Sequence, residues 1–354
     1  MSVPVECWVR PIAHRVEFRR KLLGETARVR EWHSRIACNP CSEILLRPYE
    51  TCNLTEVIVR EADTLDTLRE KVRLATILGT IQSALDDFKY VNKQWKKNAQ
   101  DERLLGVSLT GIYDNTLLNG VCGRDSLIVA LATMKTVAIH TNVEWAKKLG
   151  INPSTAITCV KPSGTTSALA GTSSGIHPAH NPYYIRYVRN DLKDPVTQFM
   201  IDSGFPHEKD AYAPEAMIVF KFPLKSASHA VCRKDLSPIQ HLQLWCDYQE
   251  FFCEHKPSIT VSVKEDEWLR VGAWVYDHFE WVSGVSFLPS EEDGHTYVQA
   301  PFTDCTKEDY ENLLQEMPTN VDWTRLKEYE TEDSTKNMHM LACTGATGAE
   351  GCFL

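Results

Sequence analysis

The chain of 354 residues is long enough for two to three average domains or one large one, and a chain of that size buries a core without needing disulfides or a structural metal. Charged residues make up 24% and hydrophobic ones 43%, near the globular average, which excludes disorder as the main state. Thirty-eight basic residues against 47 acidic ones leave a net charge of −9; that argues against a nucleic-acid coat, which needs a concentrated positive face, but permits a small phosphorylated substrate held by backbone amides.

In chain order, Leu65, Leu68, Val72, Ala75, Leu78, Ile81, Leu85 and Phe88 recur every three or four residues and predict an amphipathic helix. Asp63 or Thr64 can cap it, and Thr67 with Glu70 offers an alternative capping box. A second helix is expected over about 125–149, with Gly150 as its stop. A third opens at Ser237-Pro238, a cap followed by a first-turn proline, and buries Ile239, Leu242 and Trp245. A fourth is expected over about 265–282, and Thr306 begins a fifth. Between them 156–160, 218–222, 258–263 and 284–288 read as short strands, β-branched or aromatic and bounded by Pro, Gly or Ser. Strands alternating with helices give an α/β fold class. Residues 289–299 read as a loop, and 335–354, with three glycines and little apolar periodicity, as a mobile tail.

No apolar run approaches the roughly 18–20 residues that cross a bilayer, and Met1-Ser2-Val3-Pro4 shows no basic-then-apolar signal pattern. The expectation is a soluble, cytoplasmic protein without a membrane partner. Twelve cysteines then point to catalytic or redox use of a few of them, with most serving as small buried apolar residues.

The densest chemistry is Cys38-Asn39-Pro40-Cys41-Ser42-Glu43, followed by Cys52-Asn53-Leu54. Asn39, Cys41 and Glu43 alternate, so an extended backbone would project an amide, a thiol and a carboxylate to one side. Pro40 argues against a helix here and for a rigid loop or strand tip. The bland alternative is a buried turn with two packing cysteines. Cys38-x-x-Cys41 also reads as a thioredoxin-like motif or half a zinc site, but there is no second Cys-x-x-Cys, and His177-x-x-His180 sits in a proline-flanked loop. No metal site is expected. Ser163-Gly164-Thr165-Thr166-Ser167, after the strand at 156–160, suits an anion cradle of small residues, hydroxyls and successive N–H groups, or else an ordinary Ser/Thr-rich turn. It is not a Walker loop, since no Gly-Lys-Ser/Thr follows.

Asn39-Pro40-Cys41-Ser42-Glu43 with Cys52-Asn53-Leu54 resembles the active-site loop of ribonucleotide reductases. Gly106-Val107-Ser108-Leu109-Thr110-Gly111, Lys161-Pro162-Ser163-Gly164-Thr165-Thr166-Ser167, Gly171-Thr172-Ser173-Ser174-Gly175-Ile176-His177-Pro178, His255-Lys256-Pro257-Ser258-Ile259-Thr260-Val261 and Gly284-Val285-Ser286-Phe287-Leu288-Pro289 fit the same family. Their order and spacing resemble the C-terminal half of the adenosylcobalamin-dependent class, especially its monomeric triphosphate-reductase branch. The resemblance implies half of a ten-stranded α/β barrel over residues 1–334, with a central finger loop at about 36–55, and a redox tail at 335–354. It implies that Cys41 carries a thiyl radical, that Glu43 deprotonates the ribose 3′-hydroxyl, that Asn39 holds the sugar and that Cys52 is one member of the reducing dithiol. It further implies that Pro162, Ser163, Gly164, Thr165 and Thr166 bind the substrate phosphates, and that Cys343 and Cys352 relay electrons from thioredoxin or a similar dithiol. The expected cofactor is adenosylcobalamin and the expected reaction reduction of a ribonucleotide, tri- or diphosphate, to its deoxy form. The dithiol partner of Cys52 lies on the N-terminal half in this family, so a separate polypeptide supplying that half is an expected partner. The rival readings are a non-catalytic nucleotide-binding subunit or remnant and a stand-alone thiol–disulfide oxidoreductase using Cys38 and Cys41.

Overall fold

The computed structural model describes residues 18–24, 28, 37–290 and 298–330. The chain divides into two compact units, Met1–Ala179 with Ala227–Ser290, and His180–Ser226 with Glu291–Leu354.

The first unit is built on parallel strand pairs. A short antiparallel hairpin, β1 (Ala37–Cys38) against β2 (Leu45–Leu46), precedes β3 (Asn53–Ile58). Helix α1 (Leu65–Gln82) follows, then α2 (Lys93–Glu102) and β4 (Leu105–Thr110), which lies parallel to β3. Helix α3 (Arg124–Leu149) leads to 156–160, which makes only single parallel bridges, Thr158 to Val107 of β4 and Val160 to Pro257. Helix α4 (Thr165–Ala170) is short. After the second unit's insertion, helix α6 (Pro238–Phe251), β8 (Ile259–Val263), helix α7 (Trp268–Asp277) and β9 (Val285–Pro289) complete the unit, with β8 and β9 parallel. The order β3, β4, 156–160, β8, β9 is thus a run of parallel segments, open at both ends among the described residues. No closed barrel forms there.

Local chemistry explains the helix ends. The Thr64 hydroxyl accepts from Thr67 N–H and the Thr67 hydroxyl accepts from Thr64 N–H, so the capping box is Thr64 with Thr67; such a cap is worth about 1 kcal/mol. The Thr67–Glu70 box does not form, because Glu70 pairs with Arg73 instead. The helix stops at Gln82, short of Leu85 and Phe88: residues 83–84 form a turn, and Leu85 stays exposed. Gly150 ends α3 in the left-handed region at φ 68°, as its place in the sequence predicts. Ser237 and Pro238 start α6 as expected, with Gln240 completing a capping box. The fourth predicted helix is shorter, a 3-10 turn (Glu265–Glu267) and then α7.

Helix α3 is, by length and composition, apolar enough to cross a membrane, although polar residues interrupt its apolar ones so that no continuous apolar run of that length occurs. Half of that apolar window is buried in the protein. Leu127, Leu131, Met134, Ala138 and Ile139 pack in the same core as Val72 of α1, Val107 and Leu109 of β4, Trp245 and Tyr248 of α6, and Val261 of β8. We read it as the central helix of that core.

The second unit is a four-stranded antiparallel sheet in the order β10 (Phe302–Asp304), β5 (Tyr183–Asp191), β7 (Met217–Lys225), β6 (His207–Lys209). Helix α5 (Pro195–Asp202) contributes Phe199 and Met200 to a small core with Phe205, Ile218 and Phe220, and α8 (Lys307–Glu316) starts at Thr306 as expected. Strand β5 mixes aromatic, aliphatic and charged residues, is half-buried throughout, and gives no alternating apolar signal. Residues 291–297 of the expected loop and all of 335–354 lie outside the described residues.

Candidate active site

The site grows from the hairpin. Cys38 and Leu45 pair across it, and residues 39–44 form its tip. Asn39 N–H donates to Ile44 O at 3.2 Å, and Ser42 N–H donates to Asn39 O at 2.9 Å, closing a turn. Ser42 takes a left-handed φ of 65°. The tip is therefore a turn and not the extended segment that alternation required, since Pro40 and the closing bond bend the chain. Bending still brings the polar groups together. Asn39 Nδ2 donates to Glu43 Oε1 at 2.6 Å, and Asn39 Oδ1 accepts from Ile44 N–H at 3.0 Å. Cys41, between them in sequence, is half-buried.

Glu43 is fully buried, and its Oε2 has no hydrogen-bond partner. A buried polar atom left without a partner marks a place where a ligand or water belongs. Its backbone carbonyl accepts from Lys256 N–H at 3.0 Å, tying the hairpin to the segment that enters β8. Gly284 has φ 71°, and a side chain there would press on Pro257 O at 3.1 Å and stand 3.5 Å from Ser42 O. Glycine at that position keeps the start of β9 clear of the hairpin tip.

Cys52 sits half-buried immediately before β3. Two residues on, Leu54 meets Gly106 of β4, where an added Cβ would also crowd Ile44 at 3.2 Å and the Cys159 sulfur at 3.3 Å. The hairpin and β3 thus converge on one glycine. Cys159 is fully buried, and burial first, then the neighbouring Cys253, Glu43 and Cys52 groups, push its thiol well above the usual range. That makes it an inert packing thiol.

Pro162 to Thr166 form the turn into α4. Lys161 N–H donates to Ser108 Oγ at 2.9 Å, Ser163 N–H to Ser174 Oγ at 2.8 Å, and Ser167 N–H to Ser163 Oγ at 3.1 Å. Ser163 is buried, while Gly164, Thr165 and Thr166 are exposed at the start of the helix, with nothing within 4 Å of a Cβ placed on Gly164. Gly175, at φ 53°, lies so close under Lys161 that a Cβ would stand 2.6 Å from its carbonyl. The loop is therefore braced from below and open above.

Lys161 joins the two halves of the site. Its Nζ lies 3.8 Å from Glu43 Oε1, which sets the residue preceding the phosphate-loop candidate against the hairpin carboxylate. Lys161 was visible as the first residue of its motif but not as a site residue, because spacing alone does not bring residue 161 to residue 43.

His177 is half-buried, with Nδ1 donating to Ser174 O at 3.0 Å and Nε2 accepting from Thr260 N–H at 3.0 Å. Burial lowers its pKa, so it is a neutral brace between the 171–178 motif and β8. His241, its ring 6.1 Å from that of His177, bonds Ile176 O at 2.8 Å. Burial and the neighbouring His177 bring its pKa down to about 3. Both His177 ring nitrogens are committed to the backbone, and no cluster of three or more His, Cys, Asp or Glu side chains that could hold a metal ion occurs among the described residues. Cys343 and Cys352 lie outside the described residues.

No protein-family model matches the chain. Among curated proteins it is 26% identical over 286 residues to the adenosylcobalamin-dependent ribonucleoside-triphosphate reductase of Euglena gracilis, covering 80% of this chain and 38% of that protein. It is 27% identical over 343 residues to the enzyme of that name from Lactobacillus acidophilus, covering 88% and 44%, and 28% identical over 307 residues to that of Lactobacillus helveticus, covering 78% and 40%. Among solved structures, a crystal structure of a B12-dependent class II ribonucleotide reductase superposes with a TM-score of 0.71 at 24% identity, over 83% of this chain and 44% of that one, which shows a shared fold. The chain spans less than half the length of each of these proteins. In sequence over most of its own length, and in fold, the chain is similar to the adenosylcobalamin-dependent ribonucleoside-triphosphate reductases.

Proposed function

We propose that the chain is the radical-bearing part of a ribonucleotide reductase, converting a ribonucleoside tri- or diphosphate to its 2′-deoxy form. The observation that carries this reading is the 3.8 Å approach of Lys161 Nζ to Glu43 Oε1. It brings an anion-ready loop against a buried carboxylate with one oxygen unpartnered, on the hairpin that also holds a half-buried thiol.

In this reading the Pro162–Thr166 segment holds the substrate phosphates, with the N–H groups of Gly164, Thr165 and Thr166 and the two threonine hydroxyls as donors and Pro162 and Ser163 shaping the turn, and it sets the ribose over the hairpin. Cys41, as a thiyl radical, takes the hydrogen from C3′. Glu43 accepts the 3′-hydroxyl proton, and Asn39 fixes the carboxylate's orientation through Nδ2. The 2′-hydroxyl then leaves as water, which is far easier from a C3′ radical than from a closed-shell sugar. Cys52 and a second thiol supply two electrons and become a disulfide, and Cys41 returns its hydrogen to C3′. The radical survives only where water and stray donors are excluded, so in this reading the remaining part of the barrel closes over the hairpin.

The donor set fits a radical-generating cofactor at Cys41, a thiol that can give up a hydrogen atom and is only half-buried. Adenosylcobalamin, when bound, supplies the first unpaired electron. The finer parts of the reading follow the resemblance. The parallel run of the first unit is read as one half of a ten-stranded barrel, with the finger loop at about 36–55. The other half comes from the part of the relatives that this chain does not span. Cys343 and Cys352 in the tail at 335–354 pass electrons from thioredoxin by thiol exchange. The working compartment is the cytoplasm.

The test is reconstitution. The chain, a polypeptide supplying the remaining part, adenosylcobalamin, a ribonucleotide and dithiothreitol or thioredoxin are combined, and the product is analysed. Deoxynucleotide should form, and Cys41→Ala should abolish it even with excess dithiol. Cys343→Ala should lower thioredoxin-driven turnover and spare dithiothreitol-driven turnover. Substantial product from Cys41→Ala would overturn the radical assignment.

A further inference from the structure

Cys38 has no part in the proposed reaction, yet it is built into the same hairpin tip. It ends β1 and is exposed. Its sulfur lies 3.6 Å from Ser42 Oγ, so the side chain folds over the turn toward the residue bonded to Cys41. Only Asn39 and Pro40 separate the two cysteines. The turn is held by Ser42 N–H on Asn39 O at 2.9 Å and Ile44 N–H on Asn39 Oδ1 at 3.0 Å. Two sulfurs in so short and so fixed a loop need local rotation to meet, with little loop-closure entropy to overcome.

We propose that Cys38 and Cys41 form a reversible disulfide within the hairpin, which caps the Cys41 sulfur when the protein meets a peroxide or a small disulfide. With hydrogen peroxide, the exposed Cys38 thiolate attacks one oxygen, becomes a sulfenic acid, and releases water after proton uptake. The Cys41 sulfur then attacks the Cys38 sulfur, the S–S bond forms, and the sulfenic oxygen leaves as a second water. Two thiols lose two electrons and two protons, and the peroxide becomes two waters. With a small disulfide the same bond forms by two exchanges that release two thiols, and an added dithiol reverses both routes. A capped Cys41 has no hydrogen to exchange and is shielded from irreversible oxidation to sulfinic acid. That consequence rests on the proposed role of Cys41; formation of the disulfide does not.

The experiment uses the full chain, reduced with dithiothreitol, desalted, exposed to hydrogen peroxide and alkylated with N-ethylmaleimide. Digestion with trypsin and a glutamate-specific protease isolates residues 36–43, which contain Cys38 and Cys41 and exclude Cys52. The expected result is a peptide lighter by two hydrogen atoms and unalkylated, with both alkylation sites recovered after dithiothreitol. In Cys38→Ser, Cys41 should lose this protection and be alkylated or oxidised further. The proposal is overturned if the wild-type peptide is alkylated at both sulfurs after peroxide, if Cys41 is linked to Cys52 instead, or if Cys38→Ser leaves Cys41 protected. Should Cys38→Ser misfold, the wild-type peptide mass decides alone. Failure of the reductase reading would appear separately, as absence of deoxynucleotide from the fully reduced, reconstituted mixture.

Discussion

Asn39 and Glu43 are locked together across the hairpin tip, with Asn39 Nδ2 donating to Glu43 Oε1 at 2.6 Å while the opposite end of the same amide accepts the Ile44 N–H at 3.0 Å. One side chain thereby orients the buried carboxylate and closes the turn that presents Cys41. Replacing it by alanine leaves a buried carboxylate oxygen and a backbone N–H without these bonds. Asn39→Ala should destabilise the protein by about 1–3 kcal/mol, measured as a lower urea midpoint, and should reduce turnover in the reconstituted reaction.

Glu43→Gln keeps the shape of the side chain and an oxygen to accept from Asn39, but cannot take a proton. Product formation should fall by roughly 10²–10⁴-fold, the usual worth of a positioned acid–base group, with the urea midpoint little changed. Full activity in Glu43→Gln would remove the carboxylate from the proposed proton transfer.

Gly175 has φ 53° beneath the Lys161 carbonyl, with 2.6 Å available to a Cβ. Gly175→Ala meets both a left-handed backbone, disfavoured by about 1–2 kcal/mol for an L residue, and a clash with main chain that cannot swing aside. The expected outcome is a loss of stability together with a raised KM for nucleotide, because Lys161 and the following loop must shift. A control at Gly150, left-handed at φ 68° with nothing within 4 Å of an added Cβ, should cost stability alone.

Burial holds His241 down to about 3 and lowers His177 in the same direction. Both are neutral in the folded chain and gain a proton near pH 6.5 once unfolded. Their contribution to stability is therefore complete above about pH 6.5 and declines as pH falls toward the folded values, by up to about 1.4 kcal/mol per pH unit for each histidine. Urea unfolding at about pH 7.5 and about pH 5 should show that loss. His241→Gln, which keeps an N–H donor but does not titrate, should flatten the dependence.

Arg19 and Glu254 form a buried pair, with Arg19 Nη2 on Glu254 Oε2 at 2.7 Å and Nε on Oε1, while Glu254 Oε2 also accepts from Ile157 N–H at 3.0 Å. Arg19 also reaches Ser154 O at 2.8 Å. This ties the helical segment at 18–23 to the bridging segment at 156–160. Arg19→Ala strands a buried carboxylate and should cost about 3–5 kcal/mol, read from chemical denaturation.

Helix positions were legible wherever the signal was local. Ser237-Pro238, Thr306 and Gly150 each mark a helix end by their own hydrogen-bonding or backbone preference, and each does so in the structure. Strands β3 and β4 were not legible as strands: β4 is buried throughout, and periodicity cannot identify a strand covered on both faces. The second unit's β5 failed for the opposite reason, being half-buried along its whole length with no apolar alternation.

By itself the amino-acid sequence determined the residue chemistry of the site, its order along the chain, the α/β class and the likeness to the reductases, because motifs and helix caps are local. Only the tertiary structure decided that the hairpin tip bends instead of extending, that Lys161 reaches Glu43, that Lys256 and Gly284 support the tip, and that both His177 ring nitrogens are committed to the backbone. These are contacts between segments as much as 242 residues apart. They are set by which strands lie side by side and how closely glycines let them approach, and no spacing within one segment encodes that.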